Sequence, residues 1–148
     1  MRTIIELFET SVKKYKNNPF LYENMGSGYA SQTYGEIQHA VYNLSCGLLA
    51  LGFKKGDRAA LLSEGRNYWL ISELAIIYGG SINVPLSVKL DAETELLFRI
   101  NHSGAKLIFT SKHQIEKIRL IKDKLVGVEH IVVFDAIPLQ EKEIFIGE

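Results

Sequence analysis

A chain of 148 residues with 47% hydrophobic and 10% aromatic side chains is long enough to bury one sizeable core and too apolar for a disordered segment. Its 17 Lys and Arg balance 17 Asp and Glu, so the formal charge is zero and no bulk field draws the protein to nucleic acid or to an anionic membrane. The single cysteine, Cys46, excludes an intrachain disulfide and a multi-thiolate metal site, and its place in an apolar helical pattern predicts a buried small side chain.

The segment Met1 to Tyr15 carries Glu6 and Glu9 inside its apolar pattern and lacks a hydrophobic run ahead of a small-residue cleavage site, which argues against a signal peptide and makes the cytoplasm the expected location. No apolar stretch approaches the ~20 residues needed to cross hydrocarbon. Residues 3–16 read as an amphipathic helix lying on a sheet, because Ile5, Phe8, Val12 and Tyr15 recur at three- and four-residue spacing before Asn17-Asn18-Pro19 stops it. Phe20 to Glu23 and Tyr29 to Gln32 flank the Gly-containing Asn24-Met25-Gly26-Ser27-Gly28 and predict a hairpin.

Thr33-Tyr34-Gly35-Glu36 has capping-box spacing, and Ile37, Val41, Leu44, Leu48 and Leu51 then form one apolar helical face up to Gly52. Arg58 to Leu62 is too continuously apolar for a half-exposed strand and predicts a central parallel one. A nearly all-apolar helix follows from Tyr68 to Tyr78, ended by Gly79-Gly80. Ile82 to Leu86 resumes as a strand that Pro85 confines to its end or to an edge. Asp91 caps a helix with Leu96, Leu97 and Ile100 inward. Lys106 to Thr110 is a strand, Ser111-Lys112-His113-Gln114 is a second capping-box candidate before Ile115, Ile118, Ile121 and Leu125, and His130 to Phe134 is a further strand. Strands separated by helical crossovers predict an α/β fold, an open and mostly parallel sheet with flanking helices and an N-terminal hairpin.

Local chemistry is sparse. There is no Gly-x-Gly-x-x-Gly, no Gly-rich loop ending in Gly-Lys-Ser/Thr and no Gly-x-Ser-x-Gly elbow, so Gly79-Gly80 reads as a helix stop and Ser63, Ser87 and Ser111 as strand-end, loop and cap hydroxyls. His39, His102, His113 and His130 are too dispersed for a metal motif. Asp57, Arg58 and Arg66 read as charged turn residues, and Tyr68 and Trp69 as aromatic packing at a helix start. Lys112, Lys117, Arg119, Lys122 and Lys124, diluted by Glu116 and Asp123, read as a solvated helix face and not an RNA-binding stripe.

Thr33-Tyr34-Gly35-Glu36, Leu51 to Arg58, Asn67-Tyr68-Trp69, Gly79 to Leu86 and His102 to Thr110, in this order, resemble the start of the AMP-forming acyl-CoA synthetase family. Ser63-Glu64-Gly65-Arg66-Asn67 with Leu86-Ser87-Val88-Lys89-Leu90 resembles its bacterial long-chain fatty acyl-CoA ligase branch. The resemblance implies a parent enzyme that uses ATP and Mg2+ to turn a fatty acid into acyl-adenylate and pyrophosphate, then CoA to make acyl-CoA with release of AMP. Such a parent can associate peripherally with membranes.

The family's phosphate loop, Tyr-Gly-x-Thr-Glu segment, ribose-binding aspartate and C-terminal catalytic lysine have no counterparts here, so no catalytic, cofactor-binding or metal residue is assigned to this chain. The expectation is an N-terminal portion of the large AMP-binding domain, inactive alone and partnered by the remainder of its polypeptide. It lacks the phosphate-loop region and C-terminal domain and ends as further structure begins at Glu141 to Glu148. Incomplete cover of the Tyr68 to Tyr78 helix would promote self-association. The competing expectation is a standalone α/β protein-binding or assembly module.

Overall fold

The computed structural model describes residues 3–147; readings that include Met1, Arg2 or Glu148 lie outside the described residues at those positions. The fold opens with α1 (Ile4–Tyr15), then the antiparallel hairpin of β1 (Pro19–Asn24) and β2 (Tyr29–Thr33). Helix α2 (Tyr34–Ala50) leads to β3 (Arg58–Leu62), α3 (Asn67–Tyr78) and β4 (Ile82–Leu86). A π-turn (Ala92–Leu96) runs into α4 (Leu97–Ser103), followed by β5 (Leu107–Thr110) and α5 (Ile115–Ile121). A short 3-10 turn, β6 (His130–Val133) and β7 (Glu143–Phe145) complete the chain.

Strands β3 to β7 form one sheet in the order β4-β3-β5-β6-β7, every pair parallel. Successive residues of a strand point to opposite faces, so each strand feeds two cores. Ala59, Leu61, Leu107, Phe109 and Val132 pack beneath the layer of α2 and α3, while Ala60, Leu62, Ile108, Ile131 and Val133 pack against α4 and α5. The division follows from handedness. The crossover from β3 to β4 runs one way along the sheet and those from β4 to β5 to β6 run the other, so right-handed connections place their helices on opposite faces.

Both α1 and α2 begin in capping boxes, Thr3 with Glu6 and Thr33 with Glu36, each threonine oxygen accepting from the glutamate N–H while the carboxylate accepts from the threonine N–H. Helix α1 rests on α2 and α3, not on the sheet as expected, with Phe8 against Phe20 and edge-on to Tyr78. Glu9 locks this three-helix layer by accepting from Tyr42 Oη at 2.7 Å, Gln38 Nε2 at 2.8 Å and the Tyr78 hydroxyl. Burial and the Glu9 charge push the Tyr78 hydroxyl well above the usual phenol range.

Several local expectations are corrected. Cys46 is exposed, because the buried positions of α2 are Ile37, Val41, Ser45 and Leu48 and the thiol turns away from that stripe. Helix α3 is well covered, with Ile71, Leu74, Ala75 and Ile76 buried, so the exposed apolar side chains lie elsewhere, as at Leu49, Phe98 and Val126. The box at Ser111 to Gln114 does not form: the Ser111 hydroxyl is aimed at the Glu64 carboxylate, to which it donates at 2.9 Å, and α5 begins with no side-chain cap. Three of the basic residues of α5 and the turn after it are structural ties, while Lys112 and Lys124 are exposed as expected: Lys117 Nζ donates to the Val88 carbonyl at 2.5 Å, Lys122 to Gln140 at 2.9 Å, and Arg119 is paired with Glu143.

Gly47 sits in the interior of α2 with nothing within 4 Å of where a Cβ would stand. A helical glycine in open space loses backbone entropy for no contact in return, so Gly47→Ala is expected to stabilise the chain by about 1 kcal/mol. Urea denaturation of the two proteins measures it, and a destabilised variant would mean that the space is filled.

Candidate functional site

In a parallel sheet the loops leaving the carboxyl ends of two adjacent strands open a crevice where their crossovers depart in opposite directions. Here that point lies between β3, whose chain departs toward β4, and β5, whose chain departs toward β6. The crevice is bordered by Ser63 to Arg66 after β3, Ser111 and Lys112 after β5, and Asp135 beyond β6.

Its charged groups are engaged with one another. Arg66 Nη1 donates to both carboxylate oxygens of Asp135 at 2.9 Å, and Asp135 also accepts from the Lys112 N–H at 2.8 Å. Glu23 of the hairpin approaches Arg66 Nε at 3.4 Å, and the guanidinium lies over the rings of Tyr68 and Phe134, themselves stacked at 5.6 Å. Burial pushes the Asp135 carboxyl up, but the Lys112 N–H and the Arg66 charge outweigh it and hold the group below the usual carboxylate range. Glu64 is held by the Ser111 hydroxyl, and Ser63 donates to the Glu64 carbonyl.

The arrangement is suited to fixing where the three loops after β3, β5 and β6 leave the sheet, with the hairpin held beside them through Glu23. It does not fit Mg-ATP on its own. A cation would have to strip Asp135 from Arg66, a phosphate would have to strip Arg66 from Asp135, and no group of three His, Cys, Asp or Glu among the described residues could hold a metal ion. Gly79 and Gly80 lie away from the crevice at the end of α3, where Gly80 takes a positive φ of 72° and its carbonyl accepts from Gly56 N–H, a helix stop as read from the sequence. His39, His102 and His113 are exposed. Asp57 pairs with Lys106 at 2.9 Å at the opposite, amino end of β3 and β5.

The hairpin closes one side of the crevice through the Glu23 contact and through Asn67 Nδ2, which donates to Gln32 Oε1 at 2.6 Å. Beneath it lies a pocket of about 300 Å³ lined by Met25, Ala30, Tyr68 and Ile71 with Glu23 and Gln32 at its polar side. Sequence reasoning missed the pairing of Arg66 with Asp135. The available signal was positional only: each charged residue lies in the loop after an apolar strand run, and the two strands, β3 and β6, flank β5 and end on the same side of the sheet.

Comparison with known proteins places these features. Residues 8–148 match the family model described as AMP-binding enzyme. Long chain acyl-CoA synthetase 4 of Arabidopsis thaliana is 27% identical over 93% of this chain and 22% of its own length. Luciferin 4-monooxygenase of Photuris pensylvanica is 33% identical over 57% of this chain and 15% of its own length. The fold is shared with coronafacic acid ligase of Pectobacterium brasiliense, whose crystal structure superposes with a TM-score of 0.82 at 19% identity, covering 92% of this chain and 27% of that one. The chain thus spans about a fifth of the length of the curated synthetase it matches. A family match running through all seven strands and the crevice between β3 and β5 means that the chain belongs to the AMP-binding enzyme family.

Proposed function

We propose that this chain is the N-terminal portion of the large AMP-binding domain of a long-chain fatty acid–CoA ligase. In that enzyme a fatty acid is activated with Mg-ATP to acyl-adenylate and pyrophosphate, and the acyl group then passes to CoA with release of AMP. The observation that carries the reading is the extent of the match: the Arabidopsis long chain acyl-CoA synthetase aligns over 93% of the chain, whereas the luciferase alignment stops at 57%. The residues on the page supply scaffold. Sheet and helices hold the loops after β3, β5 and β6, and the groups that bind phosphate, metal and CoA belong to the remainder of the polypeptide. Its workplace is the cytoplasm, with peripheral contact to membranes where fatty acids partition. Among the described residues no helix is long and apolar enough to cross a membrane.

The test supplies the 148-residue chain with Mg-ATP, CoA and a long-chain fatty acid and follows pyrophosphate and acyl-CoA together. Neither product is expected, and robust turnover by the homogeneous chain overturns the scaffold assignment. A full-length enzyme that ignores fatty acids but adenylates amino or aryl acids overturns the substrate.

A further inference from the structure

Helix α1 is apolar on two sides. Its inward side carries the buried Phe8 and Val12 together with Glu9, which Tyr42, Gln38 and Tyr78 hold. On the outward side Ile4, Leu7, Ser11, Lys14 and Tyr15 recur at three- and four-residue spacing and form one stripe. Within it Ile4 and Leu7 are 60% and 58% exposed and Tyr15 is 39% exposed, so the aliphatic side chains face solvent on a helix already docked by its other side. The hydroxyls of this surface are turned back on the helix: Ser11 donates to the Leu7 carbonyl at 2.9 Å and Thr10 to the Glu6 carbonyl at 2.7 Å. Charge is segregated as well. Both acids of α1 are engaged, Glu6 by the Thr3 N–H and Glu9 by the inward cluster, whereas Lys13, Lys14 and Lys16 are exposed at the C-terminal end and form no ion pair among the described residues. Lys14 lies over the Tyr15 ring at 5.0 Å.

We infer that the outer stripe of α1 docks on an anionic lipid bilayer, with Ile4 and Leu7 entering the interface and Lys13, Lys14 and Lys16 meeting the headgroup phosphates. The inference rests on the reading above for the relevance of a membrane, where a fatty acid partitions, and on α1 for the contact itself. Charge complementarity argues for this occupant. The chain as a whole has a formal charge of zero, but the potential of an anionic leaflet decays within about a Debye length, so a contact layer responds to the charges nearest to it, and here those are three unpaired lysines. Glu36, beside the Gly35 whose N–H donates to the Lys16 carbonyl, has its carboxylate engaged by the Thr33 N–H and hydroxyl. Aliphatic side chains, a tyrosine and lysines on one helix surface are the composition that suits a helix lying in the plane of the interface. Other exposed apolar side chains lack that combination: Leu120 lies four residues after Glu116 and three before Asp123, and Phe98 stacks on His102. Because Phe8 and Val12 keep α1 packed on its own layer, docking requires no part of the fold to open.

The test sediments the 148-residue chain with vesicles of equal parts phosphatidylglycerol and phosphatidylcholine and, in parallel, of phosphatidylcholine alone. Binding to the anionic vesicles only is expected, and it should disappear at about 1 M salt, where the Debye length is about 3 Å. Replacing Ile4 and Leu7 together by glutamine, at exposed positions where the melting temperature should hold, is expected to weaken binding by about tenfold or more. Each of Lys13→Gln, Lys14→Gln and Lys16→Gln should weaken it by about fivefold, the effect of one charge close to an anionic surface. A polarity-sensitive dye on Ser11→Cys, in a Cys46→Ser background, reads the stripe independently of these variants, and its emission should shift to the blue as anionic vesicles are added. A chain that stays in the supernatant overturns the inference, as does equal binding to phosphatidylcholine or a bound chain whose dye does not shift. Binding that the glutamine variants leave untouched assigns the contact to another surface and overturns it equally. Because the readout needs no turnover, a full-length enzyme that activates some other acid would overturn the fatty-acid reading and leave the docking surface standing, whereas absent binding would overturn the docking surface alone.

Discussion

Replacing Arg119 with methionine is expected to cost about 3–5 kcal/mol of stability and to release β7 from the sheet. Arg119 projects from α5, and its Nε and Nη2 meet the two Glu143 carboxylate oxygens at 2.8 and 2.7 Å in a fork-to-fork pair. Its Nη2 also donates to the Pro138 carbonyl at 2.9 Å, which pins the loop between β6 and β7. The Glu143 side chain is 1% exposed, so deleting the cation strands a carboxylate with only the Gln140 N–H as a partner.

Methionine keeps the aliphatic stem, which isolates the charge from the packing. The double variant Arg119→Met with Glu143→Leu should recover much of the loss, because an apolar pair of similar volume carries no desolvation penalty. Urea denaturation gives the magnitudes and hydrogen exchange of Ile144 and Ile146 gives the location. A single variant within about 1 kcal/mol of the parent protein would mean that β7 is held by its ladder bonds to β6 alone.

The same pair sets a pH dependence. Arg119 depresses the Glu143 carboxyl, against the opposing effect of burial and with help from the Gln140 N–H. A carboxylate whose folded pKa is depressed contributes stability that is present above the ordinary carboxylate range and lost as pH falls through the folded value. Acid loss of β7 is therefore expected below the usual glutamate range, and Arg119→Met should move it upward.

How far the sequence reached depends on the range of the interaction. The capping box of α2 was legible because Thr33 and Glu36 are neighbours whose geometry is complete within one turn. The edge position of β4 was legible because Pro85 has no N–H to give a second neighbour. Long-range pairs were invisible by the same logic. Ser111 has the spacing of a cap, but folding brings Glu64 beside it, and the hydroxyl is placed to donate to that carboxylate and accepts nothing from the first turn of α5. Arg119 looked like one more solvated cation because its partner belongs to a strand that only the finished sheet brings near. The crevice itself could be placed only once the order β4-β3-β5 was known, since the strands' sequence order alone does not say where the crossover direction reverses.

At that crevice, Arg66→Met is expected to cost about 2–3 kcal/mol, somewhat less than the Arg119 variant, because the pair it breaks is less deeply buried. Arg66 and Asp135 side chains are 19% and 16% exposed, and Asp135 keeps the Lys112 N–H when the guanidinium is gone. The stem of methionine still covers Tyr68 and Phe134, so the loss reports the charge and its hydrogen bonds. Arg66→Lys should fall between the two, since an ammonium keeps the charge but cannot bridge both Asp135 oxygens while reaching Glu23. A double-mutant cycle with Asp135→Asn is expected to return a coupling of about 1–2 kcal/mol, and a coupling near zero would reduce the contact to coincidence of position. The sign of the pH effect follows from Asp135. Burial raises its pKa and the Lys112 N–H and Arg66 more than reverse that, so the stabilisation is present above the ordinary aspartate range and disappears as pH falls through the lowered value. Because Arg66 also reaches Glu23, its loss should loosen the hairpin over the pocket lined by Tyr68 and Ile71, read as faster hydrogen exchange in β1 and β2 at unchanged exchange in β3. That pattern separates an arginine that fixes the mouth of the crevice from one that merely stabilises the sheet, for which all strands would open together.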